Sequence, residues 1–139
     1  MRRLLLDSDT LSDVRSGRFP SSNRRAHEYF ARFGKHHISV VTAYETERGL
    51  LMIGALDRLA RVRVDLQWFE VIPLTLAVAE LAADMDAALA KKGQSIGTAD
   101  VFIAATAVDQ GFGLATSNTR HFARIVELGF PLALEDWRA

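Results

Sequence analysis

Short apolar runs and longer amphipathic stretches take turns along this chain. Leu4-Leu5-Leu6 is the first run. Three leucines in succession read as a strand buried on both faces, as strands of parallel sheets are. A short helix is predicted over 10–16, closed by Gly17 and the Phe19-Pro20 turn. Asn23 is placed to cap a second helix over 23–33, with Ala26, Tyr29, Phe30 and Phe33 on one face and Gly34 at its end. The β-branched segment 38–41 reads as a second strand. Helices follow over 42–52 and 55–67, and the apolar side of the second carries Leu56, Leu59, Val62, Val64 and Leu66. A third strand is predicted over 69–73, and Thr75 caps a long helix over 75–92. The helix predicted over 98–110 is apolar almost all round, which marks a helix buried on most sides. Strands over 113–116 and 131–134 complete the pattern.

Strands that alternate with helices predict an α/β fold: a three-layer α/β/α arrangement around a mainly parallel central sheet of four to five strands. The length of 139 residues suits one domain over 1–139. There is no cysteine, which excludes disulfides, zinc–thiolate sites and thiol catalysis. Arg2 and Arg3 precede only three leucines, too few for a secretory signal, and no apolar run is long enough to span a membrane. The expectation is a cytoplasmic protein with no membrane partner. The 17 basic and 17 acidic side chains cancel, so any binding to nucleic acid must use local patches. Arg24-Arg25, Lys35-His36-His37, Arg58 with Arg61 and Arg63, Lys91-Lys92, and Arg120-His121 with Arg124 are the candidates.

Acids mark the ends of the apolar runs. Asp7 and Asp9 follow the first strand, Glu45 follows the second, and Asp100 opens the most apolar helix. Three have an ordinary structural explanation. Asp9 fits a helix cap. Glu45 fits a capping box with Thr42. Asp100 suits the positive end of its helix dipole. Asp7 has no obvious local partner. All of them nevertheless fall at one edge of a parallel sheet, where ligand sites of open α/β folds lie. Carboxylates gathered without cysteine or lysine suit a hard cation such as Mg²⁺ or Mn²⁺. Such an ion activates water and neutralises charge on a phosphoryl oxygen. The chemistry implied is metal-assisted hydrolysis of a phosphate ester.

Four motifs occur in order: Leu4-Leu5-Leu6-Asp7-Ser8-Asp9-Thr10; Ile38-Ser39-Val40-Val41-Thr42-Ala43-Tyr44-Glu45 with Gly49; Ile96-Gly97-Thr98-Ala99-Asp100-Val101-Phe102-Ile103-Ala104-Ala105; and Leu114-Ala115-Thr116-Ser117-Asn118-Thr119-Arg120-His121-Phe122. Together they resemble PIN-domain ribonucleases over the whole chain, and most of all the VapC toxins of type II toxin–antitoxin pairs. The closing Leu134-Glu135-Asp136-Trp137 is similar to that group as well. The resemblance implies a PIN-like fold with Mg²⁺ or Mn²⁺ held by Asp7, Glu45 and Asp100. It implies in-line attack of water on an RNA phosphodiester, leaving a 5′-phosphate and a 3′-hydroxyl, with Thr116 supporting the site. A small VapB-like antitoxin covering the site and a homodimer are implied too. Phe19, Leu50, Leu51, Met52 and Trp68 are candidates to line the antitoxin's groove, although core burial is the better explanation for most of them.

The chain departs from the family pattern at two places. Many relatives carry an acid where Asn118 stands, and an amide holds a water or a phosphate oxygen without adding negative charge. Many have Asn where Asp9 stands, so Asp9 is either a replacement charge or a cap. His121 is a candidate proton donor, and Arg120 and Arg124 are candidates for RNA phosphate. Two rival readings remain: a haloacid dehalogenase-like phosphatase, whose leading motif is also Asp-x-Asp after a strand, and a binding protein that keeps the PIN fold without catalysis. The first is disfavoured by Thr10, which follows Asp9 one residue early, and by the absence of a later lysine with an acidic pair.

Overall fold

Leu4, Leu5 and Leu6 form strand β1 (Leu4–Leu6), and none is more than 1% exposed. A computed structural model describes residues 1–139. Side chains alternate across a strand. Leu5 therefore joins the core on one face of the sheet, while Leu4 and Leu6 join the core on the other. The sheet has five strands in the order β3-β2-β1-β4-β5, and every neighbouring pair is parallel. The other strands are β2 (His37–Ser39), β3 (Glu70–Ile72), β4 (Gly113–Ala115) and β5 (Leu134–Glu135). Leu4 to Leu6 run in register with Gly113 to Ala115. Gly113 suits that close approach, since a Cβ would stand 2.8 Å from Leu4 Cδ2 and 3.2 Å from Ala133 C=O and force one of them to shift.

Helices cover both faces, as a three-layer fold requires. α1 (Ser8–Ser16) and α2 (Pro20–Phe33) supply Leu11, Ala26 and Tyr29 to one core. α5 (Leu76–Lys91), α6 (Thr98–Gln110) and α7 (Thr119–Glu127) build the other with Met85, Leu89, Ile103, Phe122 and Ile125. α3 (Val40–Met52) and α4 (Leu56–Asp65) enclose a small third cluster of Leu50, Leu59 and Val62. A 3-10 turn, Leu66–Trp68, ends that hairpin.

Several expected boundaries move for identifiable reasons. The second strand ends at Ser39, whose hydroxyl accepts from Val41 N–H and starts α3 two residues before the expected position. Thr42 therefore lies inside the helix with its buried hydroxyl unpartnered, and the capping box with Glu45 does not form. α2 starts at Pro20, a residue suited to a first helical turn. Asn23 instead donates to Gly17 C=O at 2.8 Å. Leu56 and Val64 are exposed, leaving Leu59 and Val62 as the buried face of α4. The fifth strand is displaced to Leu134–Glu135. α7 was not expected at all, although Phe122 and Ile125 give it a buried face.

At the amino edge of the sheet a polar network is buried. Tyr29 Oη accepts from Leu4 N–H at 2.9 Å and lies 2.6 Å from His37 Nδ1. His37 Nε2 lies 3.0 Å from Glu70 Oε2. Beyond β5, Trp137 is buried, and Arg138 grips the buried Asp13 of α1 through two hydrogen bonds of 2.6 and 2.9 Å.

Candidate active site

The carboxyl edge of β1 and β4 is where the chain changes direction across the sheet. β2 and β3 lie to one side of β1, and β4 and β5 to the other. Open α/β sheets form clefts at such a switch point. Here the cleft holds about 200 Å³ and is lined by Asp7, Ser8, Asp9, Glu45, Asp100 and Asn118, with Phe122 as its apolar wall. Residues from the ends of β1 and β4 and from α1, α3, α6 and α7 thus meet in one place.

Asp7 is anchored first. Its N–H donates to Ala115 C=O at 3.1 Å, which ties the end of β1 to β4. Its Oδ1 accepts from Thr10 N–H at 2.8 Å, so Asp7 itself caps α1. The expected cap, Asp9, is displaced one residue into the helix and is exposed at the cleft. Burial pushes the Asp7 carboxyl above its ordinary 3.8. Hydrogen bonds from Thr116 and Thr10 pull it back down, and the charge of Asp9 raises it again. A carboxylate this buried, with a like charge beside it, is stabilised by a cation.

Asp100 sits in the first turn of α6. Burial raises its pKa, and the nearby His121 opposes that shift. His121 Nε2 stands 3.0 Å from both Asp100 Oδ2 and Ile96 C=O. A carbonyl and a carboxylate both accept, so Nε2 carries hydrogen and divides it between them. His121 therefore steers Asp100 and does not line the cleft. Glu45 is held from a third direction, accepting from the Ser8 hydroxyl at 2.7 Å. Ser8 was not singled out in the sequence, since its partner lies 37 residues away.

Thr116 is buried behind the cleft, and its Oγ1 accepts from Asn118 N–H at 3.0 Å. Asn118 precedes α7 without using its side chain as a cap, which leaves the amide at the cleft. Neither Arg120 nor Arg124 lines the cleft. Arg124 is committed elsewhere, reaching the carbonyls of Gln94 and Ser95 at 3.5 and 3.3 Å.

Every donor at the cleft is oxygen or amide, the set a hard cation prefers. No three of the acids converge into a closed ligand group. That is compatible with Mg²⁺, which is bound through one or two carboxylates and keeps several waters. The donor chemistry therefore fits such an ion.

The sequence profile of the PIN domain family matches residues 5–128. This chain belongs to the PIN domain family. The PIN domain is 28% identical over 130 residues to Ribonuclease VapC1 of Methanocaldococcus jannaschii, covering 94% of this chain and 86% of the relative. Its fold matches DNA-bound VapBC from Salmonella typhimurium with a TM-score of 0.81 and 27% identity, over 99% of each chain. VapBC-1 from nontypeable Haemophilus influenzae superposes with a TM-score of 0.82 at 20% identity, over 98% of each chain. The phosphatase reading of the leading Asp-x-Asp motif is set aside by this membership. The acids of the PIN domain cleft come from separate stretches of sequence, and the fold alone brings them together.

Proposed function

We propose that this PIN domain is a metal-dependent endoribonuclease, the toxin of a VapC-type pair acting in the cytoplasm. The observation that carries this reading is the convergence of Asp7, Asp9, Glu45, Asp100 and Asn118 on one small cleft at the sheet's switch point. The curated relative named a ribonuclease supports it. Asp7 and Asp100 would hold Mg²⁺ or Mn²⁺, and Glu45 would complete the set directly or through water. When bound, the ion lowers the pKa of a coordinated water and neutralises charge growing on the phosphoryl oxygens.

The chain's own residues do the rest. Thr10 N–H and Thr116 fix Asp7, His121 fixes Asp100, and Ser8 fixes Glu45. Groups already fixed need no reorganisation during reaction. Asn118 offers an amide N–H to a phosphate oxygen without repelling it. Water adds to phosphorus, the P–O3′ bond breaks, and the departing 3′ oxygen takes a proton. A 5′-phosphate and a 3′-hydroxyl remain.

An antitoxin and a second copy of the chain are part of the same proposal. Leu51, Met52, Ile53 and Leu56 are each more than half exposed at the α3–α4 tip, and solved relatives are VapBC complexes. Exposed apolar clusters of this kind mark interaction surfaces. The deciding assay is cleavage of RNA with added Mg²⁺ or Mn²⁺ by wild type and by Asp7→Asn, Glu45→Gln and Asp100→Asn. Loss in all three with folding retained is expected. Equal cleavage by all four proteins sinks the assignment, and a well-folded wild type that binds RNA without cutting it would mean a binding protein.

A further inference from the structure

Next to the acid cleft lies a larger groove of about 540 Å³, and the two share Ser8 and Glu45 as walls. Residues of α1, α3 and α4 line it. From Ser8 to Arg15 along α1, the groove runs about two helical turns, or ~10 Å. Arg15, Arg58 and Arg61 line it. Arg15 is paired with Asp65, while Arg58 and Arg61 enter no ion pair. Three residues apart on α4, these two present their charges side by side.

We propose that this groove is the path of the single-stranded RNA backbone flanking the scissile phosphate. This inference rests on the ribonuclease reading above. A cleft of carboxylates repels a polyanion, and the molecule has no net charge to offset that repulsion. Local cations must bring the strand in. The acid cleft is small, so the neighbouring nucleotides need a second space beside it, across the Ser8–Glu45 pair that walls both. The arginine groove meets both conditions. Its serine and threonine hydroxyls add partners for phosphate and sugar oxygens.

Gly49 keeps one wall of the groove open. It lies inside α3 on the groove wall, and a Cβ there would meet no atom within 4 Å. Glycine weakens a helix interior. The missing side chain leaves room for an occupant of the groove.

The test uses a fluorescein-labelled, mixed-sequence RNA of about 12 nucleotides, bound in EDTA so that it is not cut. Affinity is read by anisotropy across a salt series. Arg58→Gln with Arg61→Gln is expected to weaken binding at least tenfold. It should also make the log–log salt slope shallower by about 1.4, or ~0.7 for each phosphate no longer neutralised. With Mg²⁺ the same variant should raise KM and leave kcat unchanged. Gly49→Leu is expected to melt no lower than wild type, since leucine is the better helix former, and yet to bind RNA more weakly. Wild-type cleavage combined with unaltered binding by both variants overturns the groove assignment. So does failure of the variants to hold a co-expressed antitoxin while their RNA affinity stays intact, which would give the groove to a protein. Failure of wild type itself to cut RNA overturns the ribonuclease reading, and this proposal with it.

Discussion

At the amino edge of the sheet, the buried Tyr29 and His37 and the exposed Glu70 form a polar chain in which each group has a partner. At the carboxyl edge, Asp7, Asp9, Glu45 and Asp100 line a cleft in which like charges face one another. Burial costs a polar group little when its hydrogen bonds are made, and costs a charge much when they are not. The amino edge is thus built for stability. At the carboxyl edge the acids also have partners, but they stand beside one another, and burial raises the pKa of Asp7 and Asp100. One fold thus treats its two polar edges unequally, pairing a polar network at one and setting like charges side by side at the other.

The comparison breaks most visibly on activity. Asp7→Asn should cut RNA cleavage by at least about 100-fold, the scale of losing one electrostatic partner at a reacting centre. The Asn side chain still accepts from Thr10 N–H, so the cap survives. Melting in EDTA should therefore stay level or rise, and a fall in both activity and melting temperature would assign Asp7 to structure. Tyr29→Phe should do the opposite. It strands Leu4 N–H and His37 Nδ1 in the core, at about 1–3 kcal/mol for each group, as urea denaturation would show. Cleavage per folded molecule should be unchanged.

Divalent metal sharpens the contrast. At 100 times its Kd, Mg²⁺ should add about 2.7 kcal/mol to the stability of wild type and nothing to Asp7→Asn with Asp100→Asn. A calorimetric scan with and without the ion measures this.

Acid should move the two edges in opposite directions. His36 and His37 have pKa values lowered from 6.5, chiefly by burial. The folded chain resists protons that the unfolded chain accepts. Their contribution is therefore full at neutral pH and falls away as pH drops below 6.5 toward the lowered values, with a slope of up to about 1.4 kcal/mol per pH unit for each proton. Asp7 and Asp100 have pKa values raised from 3.8, again chiefly by burial. Their contribution is present below 3.8 and disappears as pH rises through the raised values. Asp7→Asn with Asp100→Asn should steepen the net acid destabilisation in metal-free denaturation curves. The smallest effect belongs to Glu70→Gln. The amide oxygen still accepts from His37, and Glu70 is 55% exposed, so the cost should stay under about 1 kcal/mol. Its signature is in the titration instead: the Glu70 charge raises the His37 pKa, so its removal should shift the imidazole's NMR titration to lower pH.

The sequence carried more of the fold than of the site. Leu4–Leu6, the Thr75 cap and the apolar helix Thr98–Gln110 were legible because each is dictated by local composition and patterning. Val40 and Val41 misled, because their β-branching reads as strand while the Ser39 hydroxyl starts a helix under them. α7 was hidden by its brevity and by the turn-forming residues Ser117 and Asn118 ahead of it. Asp7, Glu45, Asp100 and Asn118 were picked out by position and family likeness. What steers them was not, because the partners are remote: Ser8 for Glu45, and His121 for Asp100. Asp7 and Asp9 also exchanged capping roles, since the helix starts earlier than composition suggests.

The register of β1 with β4 has a consequence for timing. Leu4 faces Gly113, and Asp7 N–H hangs from Ala115. A chain emerging from the ribosome carries its first acid from the outset but has nowhere to seat it until the fourth strand arrives. The acid cleft is therefore a late product of synthesis, complete only once the carboxyl half of the chain has been made.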